Sequence, residues 1–297
     1  MIRFTASLAL VLLILLLSDT AFACTSFASY AGPSPIFAMN FDYAHLPMKL
    51  LMESRGEIKT FHLAFEKEIG EMKFFAKTGG MNNQGLFYAC QELDPAHPNP
   101  PAPDETRLPL PALNEMISTS TAVSQLKAVA DQKQIVQVQG VTLHTLFADA
   151  TGDAVVMEPD SETCHLTPMD GKWMVMANFA NHTLTGKSVQ NAQGLGDYRF
   201  KIIHNILAKK GATLTPEEAM GILSSAKNRN PECPTTCSMV FNPKKAQVFI
   251  CFHRDFETLW RVSINGGTLE CIKGDQKGTK RAFNEKGVEV ANLMKQE

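Results

Sequence analysis

The sequence has 297 residues, enough for one large α/β domain or two small ones. Hydrophobic residues make up 44%, charged residues 20%, and the mean hydropathy is −0.09, which supports a packed core and excludes a mainly disordered chain. Lys and Arg number 28 against 30 Asp and Glu, a net charge of −2 that excludes a whole-protein basic field for nucleic acid, and a single long apolar run excludes a polytopic membrane protein.

That run comes first. Met1 to Phe4 carry one cation, Arg3, and Ala6 to Leu17 are apolar apart from one serine. Ala21-Phe-Ala23 then ends the segment. A short basic start, an apolar centre and an A-x-A end predict a secretory signal peptide over residues 1–23. The apolar stretch is shorter than the ~20 residues needed to span a bilayer. An uncleaved anchor and a lipoprotein signal are the alternatives. The second wants a large aliphatic residue three places before the cysteine, where Ala21 stands. Cleavage would make Cys24 the first residue of a single domain over 24–297, exported to a periplasmic or extracellular space.

β-Branched and aromatic content predicts strands at Thr25–Tyr30, Ile36–Phe41, Lys49–Glu53, Ile58–Phe65, Phe74–Thr78 and Gly85–Leu93. Seven prolines between 94 and 111 predict a stretch without regular structure, a loop or a flap. Apolar spacing of three and four predicts helical turns from Ala112 and from Ala122. Strands return at Thr142–Ala148, Ala154–Glu158, Thr163–Leu166 and Trp173–Phe179. Two helices follow, Tyr198–Lys209 and Pro216–Lys227. The second is announced by Thr215 as N-cap, Pro216 in the first turn and Glu218 closing a capping box. Strands Cys237–Asn242, Gln247–His253 and Thr258–Ile264 close the pattern. Strands arrive in hairpin-like runs, which favours antiparallel sheets covered by helices over a doubly wound parallel sheet.

The seven cysteines are Cys24, Cys90, Cys164, Cys233, Cys237, Cys251 and Cys271. Export implies an oxidising compartment, so with Cys24 free the other six predict either disulfides, up to three, or buried thiols. The histidines show no H-x-x-x-H or H-E-x-x-H spacing, and Cys233 and Cys237 have no second pair at zinc-finger spacing, so no metal is expected. His144, in a strand, reads as a hydrogen-bonded core histidine.

A cysteine freed by signal cleavage carries both a thiol and an α-amine. The amine, with a reference pKa of about 7.7–8.0, is partly neutral near physiological pH and can take the thiol's proton. One residue then supplies nucleophile and base. The neighbouring motifs give this weight: Cys24-Thr-Ser-Phe, Asn40-Phe-Asp42, Gly80-Met-Asn-Asn-Gln-Gly-Leu86, Asp149-Ala-Thr-Gly152, Met174-Val-Met-Ala-Asn178 and Gly194-Leu-Gly-Asp-Tyr-Arg199. With them, in this order from Cys24 to about Ile264, the chain resembles the choloylglycine hydrolase family, which includes bile salt hydrolases and penicillin V acylases.

The resemblance implies an α+β fold, a four-layer αββα sandwich of two antiparallel sheets of the N-terminal nucleophile (Ntn) hydrolase type. It implies hydrolysis of a linear, non-peptide C–N amide in a small N-acyl substrate, through a thioester on Cys24 and without any cofactor. It assigns Asp42 to orienting thiol and amine, Asn178 (with Asn181 as the alternative) to the oxyanion hole, and Arg199 to favouring the thiolate. Asn82 is the family's turn asparagine, read as structural.

Two positions depart from the pattern. Met39 stands where the family has an arginine, which removes a cation from beside the sulfur. Glu92 stands where many bile salt hydrolases have an asparagine. Its carboxylate points elsewhere, is protonated, or binds a cationic part of the substrate. These departures keep two further readings open, a binding protein on the same scaffold and an acyltransferase. No nucleic acid or membrane insertion is expected of the processed chain, and the oligomeric state, homo-oligomer included, stays open.

Overall fold

A computed structural model describes residues 24–69, 72–94, 104–138, 141–160, 163–211 and 213–294. The predicted signal peptide and most of the proline-rich stretch lie outside these residues.

Two eight-stranded antiparallel sheets form the molecule's centre. In spatial order the first contains Trp173–Ala177, Thr25–Ser29, Ile36–Asp42, Thr235–Asn242, Gln247–Phe252, Leu259–Ser263, Thr268–Lys273 and Lys280–Ala282. The second runs Cys164–Pro168, Ala154–Pro159, Leu143–Ala148, Phe87–Glu92, Met72–Asn82, Ile58–Ile69, Met48–Arg55 and Val288–Glu289. Alternation along each strand sends one set of side chains between the sheets and the other outward. In Ile36–Asp42, Phe37, Met39 and Phe41 enter the inter-sheet core beside Phe61, Phe87 and Trp260. Ile36 and Ala38 face outward, against Ile203 and Leu223 of the helices Asp197–Lys210 and Pro216–Ser225. The outer face of the second sheet is covered by the helices Leu110–Glu115 and Val123–Gln132 through Leu113, Val123 and Leu126. These are the expected four layers, helix, sheet, sheet, helix. Each fully buried phenylalanine contributes about 1.5–3 kcal/mol to holding them together. No helix among the described residues is long and apolar enough to cross a membrane.

The sequence motifs turn out to be joints of this sandwich. Asn82 makes four backbone bonds, donating to Ile117 and Ser120 and accepting from Gln84 and Leu86, so it ties its own turn to the helical layer. Asp149 folds its hairpin by accepting from Thr151 and caps the helix beginning at Val123 by accepting from that residue's N–H at 2.8 Å. The Thr215 hydroxyl accepts from Glu218 N–H while the Glu218 carboxylate accepts from Thr215 N–H, the expected capping box. Thr215→Ala should cost about 1 kcal/mol of stability by urea unfolding, with no change in activity.

Two expectations need correction, and one alternative is decided. The helix Leu110–Glu115 and a short strand, Arg107–Pro109, begin inside the proline-rich stretch. Pro109 serves as N-cap and Pro111 sits in the first turn, where a missing N–H costs nothing. The helix from Pro216 ends at Ser225, short of Lys227. All seven cysteines are free, so no disulfide forms. Cys237 and Cys251 lie on neighbouring strands but on opposite faces, one in the inter-sheet core and the other under the helices. Two sulfurs separated by a sheet cannot meet.

Candidate functional site

Cys24 immediately precedes the first strand. Thr25 pairs with Ala177 on one side and Asn40 on the other. Extending these registers by one residue sets Cys24 beside Asn178, and Asp42 ends the strand on its other flank. Strand pairing alone thus gathers residues 24, 42 and 178 at one end of the first sheet.

Arg199 arrives from the helix above and joins them. Its Nε donates to Thr25 Oγ1 at 2.9 Å, one Nη to Asn178 Oδ1 at 3.3 Å, and the other Nη lies 3.5 Å from Asp42 Oδ2. Gly196, in the Gly-Leu-Gly-Asp-Tyr-Arg motif, is needed twice. Its φ of +80° starts the helix, and a Cβ there would run into the guanidinium. Asp42 and Arg199 are 0% and 1% exposed, an ion pair fully out of water. Thr235, opposite Asp42 in the register, donates its hydroxyl to Asp42 Oδ1 at 2.5 Å. Asp42 Oδ2 has no hydrogen-bond donor among the described residues, only the ionic partner. Burial drives the Asp42 carboxyl up to about 7, against the pull of Arg199 and Thr235.

The Cys24 thiol donates to the Asp42 backbone carbonyl at 3.8 Å. Burial raises its pKa well above the usual thiol range, the Asp42 charge raises it further, and Arg199 opposes both only weakly. The sulfur therefore rests as a thiol, and a nucleophilic role for it would require a base acting in the same step. The guanidinium's hydrogen-bond and ionic partners are Asp42, Thr25 and Asn178, and its charge acts on the sulfur only weakly. Met39 is wholly buried between the sheets, and a Cβ on Gly79 would strike its sulfur. No charge reaches the site from that position.

The geometry separates the two asparagines. Asn178 donates through Nδ2 to the Glu92 carbonyl at 2.7 Å and accepts from Arg199, so it belongs to the cluster. Asn181 spends its Nδ2 on Val175 O, and its backbone N–H on Glu158. Glu158 is a brace for this corner. It accepts from the N–H groups of Asn181 and His182 and pairs with His144 and His182 at 3.1 and 3.0 Å. Burial works to raise its pKa, but these partners outweigh it and leave the carboxylate lowered. Among the described residues, His144 is hydrogen-bonded through Nδ1 and its Nε2 has no partner.

Above Cys24 opens a cavity of about 800 Å³. It forms because the strands Met72–Asn82 and Phe87–Glu92 pair only from Gly79 to Met81 and then splay. Phe41, Tyr43 and Phe65, with ring centroids 4.7 to 5.4 Å apart, make an aromatic wall. Gln91 donates to Ser26 Oγ and joins the sheets beside it. Glu92 lines the cavity, and burial pushes its carboxyl up to about 7 while Lys67 pulls it down. Lys67 and Thr235 carry no sequence signal of a site. They are found only once the sheets are assembled.

Comparison with solved structures identifies the same architecture elsewhere. The chain is similar to a mutant of the conjugated bile acid hydrolase from Clostridium perfringens, with a TM-score of 0.62 and 13% identity over 88% of this chain and 100% of that one. A second variant of that enzyme gives 0.61 and 14% over the same shares. Penicillin V acylase from Agrobacterium tumefaciens gives 0.52 and 14% over 81% of this chain and 91% of that one. No protein-family model and no curated protein matches the sequence. At these identities the likeness establishes the fold, the Ntn-hydrolase sandwich that the motifs led one to expect.

Proposed function

We propose that the chain is an exported cysteine amidohydrolase that cleaves the linear C–N amide of a small N-acyl substrate after residues 1–23 are removed. The observation that carries this reading is the convergence of Cys24, Asp42, Asn178 and Arg199 in one buried cluster, with Cys24 opening onto a cavity that has an aromatic wall. Similarity of fold to two enzymes named as an acylase and a bile acid hydrolase supports it.

Cleavage turns the Cys24 amide nitrogen into an α-amine. Asp42 Oδ2, which lacks a hydrogen-bond donor, accepts from this amine and fixes it beside the thiol. The amine takes the thiol proton as the sulfur attacks the acyl carbonyl. Asn178 Nδ2, aided by a backbone N–H, holds the oxyanion. The amine passes its proton to the leaving nitrogen, the C–N bond breaks, and the acyl group is left on sulfur as a thioester. The freed amine deprotonates a water, which attacks the thioester carbonyl. Collapse releases the carboxylic acid, and the proton returns to the sulfur. Arg199 balances the Asp42 charge and orients Asn178. Glu92 meets the departing half of the substrate. The raised thiol pKa suits this route, in which proton transfer accompanies attack.

Incubating the secreted protein with a thiol-directed electrophile and a broad panel of N-acyl amides tests the reading. Labelling of Cys24 with release of free acid is the expected result. Neither labelling nor turnover would favour a binding protein, and acyl transfer to excess added amine would mark a transferase. Asn178→Ala should lower kcat by about 10²–10³-fold and leave KM nearly unchanged, since the lost bond is made to the oxyanion and not to the ground state.

A further inference from the structure

Five acidic and basic side chains line the cavity: Lys67, Glu68, Lys77, Glu92 and Glu115. Three have ionic partners. Glu68 is bridged to Lys73, and Lys77 binds Glu53 at 2.7 Å and Glu115 at 2.8 Å. Lys67 and Glu92 are different. Both are half-buried, and neither side chain makes an ion pair or hydrogen bond among the described residues. They line the same cavity, and no direct bridge closes between them among the described residues.

Their place in the cavity is informative. The charges that bear on the Cys24 sulfur are those of Asp42, Cys233 and Arg199, and Glu92 is not among them. Tyr43 is influenced by both Glu92 and Cys24. Glu92 and Lys67 line the same cavity as Cys24 and the aromatic wall, and the Glu92 backbone carbonyl accepts from Asn178 Nδ2 at 2.7 Å. Phe41 and Phe65, next to the sulfur, offer an apolar wall for a hydrocarbon acyl chain. The charged pair is left for the other side of the scissile bond.

A ligand that fills this cavity drives water away from both charges. A neutral amine half would leave two desolvated charges unmatched, and a singly charged half would leave one. Resting on the function proposed above, we propose that Glu92 and Lys67 form a clamp for a dipolar amine half, the carboxylate taking an ammonium and the lysine taking a carboxylate. The substrate class is then an N-acylated diamino acid with its second amino group free. With an ammonium against it, the Glu92 carboxyl returns to its ionised form, so the pair is neutralised on both sides.

The test uses Cys24→Ala protein, matured to residue 24, and measures binding by calorimetry, so that no chemistry is required. Four octanoyl amides of matched length are compared: those of lysine acylated at its α-nitrogen, norleucine, 1,5-diaminopentane and pentylamine. The lysine compound should bind about tenfold tighter than either singly charged compound, and these tighter than the neutral one. Glu92→Gln should erase the advantage conferred by the ammonium and keep that of the carboxylate. Lys67→Met should do the reverse. Affinities of all four amides within threefold of one another, no binding by any of them, or a uniform loss in both variants would overturn the clamp. Failure of the unaltered protein to turn over any amide would count against the proposed function and leave this binding result readable.

Discussion

Cys24→Ala is expected to reduce amide turnover by roughly 10⁴-fold or more while leaving the fold intact. The sulfur's only hydrogen bond among the described residues is a long one, 3.8 Å to the Asp42 carbonyl, and the side chain is small. Alanine therefore removes little packing, and the Asp42–Arg199–Asn178 network does not use the sulfur as a link. Circular dichroism and urea unfolding should match the unaltered protein within about 1 kcal/mol. Cys24→Ser should also lose most activity, because a hydroxyl is harder than a thiol to deprotonate with an amine near its own pKa. Turnover within tenfold of the unaltered protein in either variant would remove Cys24 from the chemistry.

Arg199→Met should destabilise the protein by about 1–2 kcal/mol more at pH 8 than at pH 5. The cause is the carboxylate left behind. Asp42 is fully buried, and its compensation comes from the guanidinium and from the Thr235 hydroxyl. The pH dependence gives this prediction its signature. The folded-state pKa of Asp42 is already raised by burial to about 7, above its unfolded value, so the folded protein holds a proton there in weakly acidic solution. Stability from this group is greatest below the unfolded pKa and falls as pH rises through the folded one. Loss of Arg199 lifts that pKa further. The difference between variant and unaltered protein should therefore be large at pH 8 and shrink at pH 5, where Asp42 is protonated in both. An equal loss at the two pH values would mean that Arg199 acts by packing alone.

Much of the sandwich was legible because its strands alternate and its hairpins carry recognisable turns. Asp149-Ala-Thr-Gly152 and the Thr215–Glu218 box behave as local chemistry predicts. The strands after Ile264 were not legible. Thr268–Lys273 buries only Leu269 and Cys271 among its six residues, and Lys280–Ala282, at the sheet's edge, is three exposed residues, two of them basic, a pattern that resembles a loop. Compartment and count left disulfides and buried thiols both open, because the faces of the strands decide which sulfurs meet, and faces depend on register.

The same limit applies at the site. Sequence left Asn178 and Asn181 undecided because they lie three residues apart on one segment. The pairing of Thr25 with Ala177 resolves which of them flanks Cys24. Lys67 was invisible for another reason. A lysine in an alternating strand reads as solvent-facing, and only the splaying of two distant strands turns its surroundings into a cavity. Motif residues could be found because each makes a local turn or cap; cavity residues could not, because the cavity is made by the whole second sheet.

Intact-mass analysis of the secreted protein, taken before and during incubation with an N-acyl amide that it hydrolyses, bears most directly on the reaction assigned to the chain end. The expected spectrum shows a polypeptide beginning at Cys24, joined during turnover by a species heavier by one acyl group, with fragmentation placing that group on the Cys24 sulfur. A chain beginning at another residue, a lipid-capped Cys24, or turnover with the acyl group on a different side chain would contradict it.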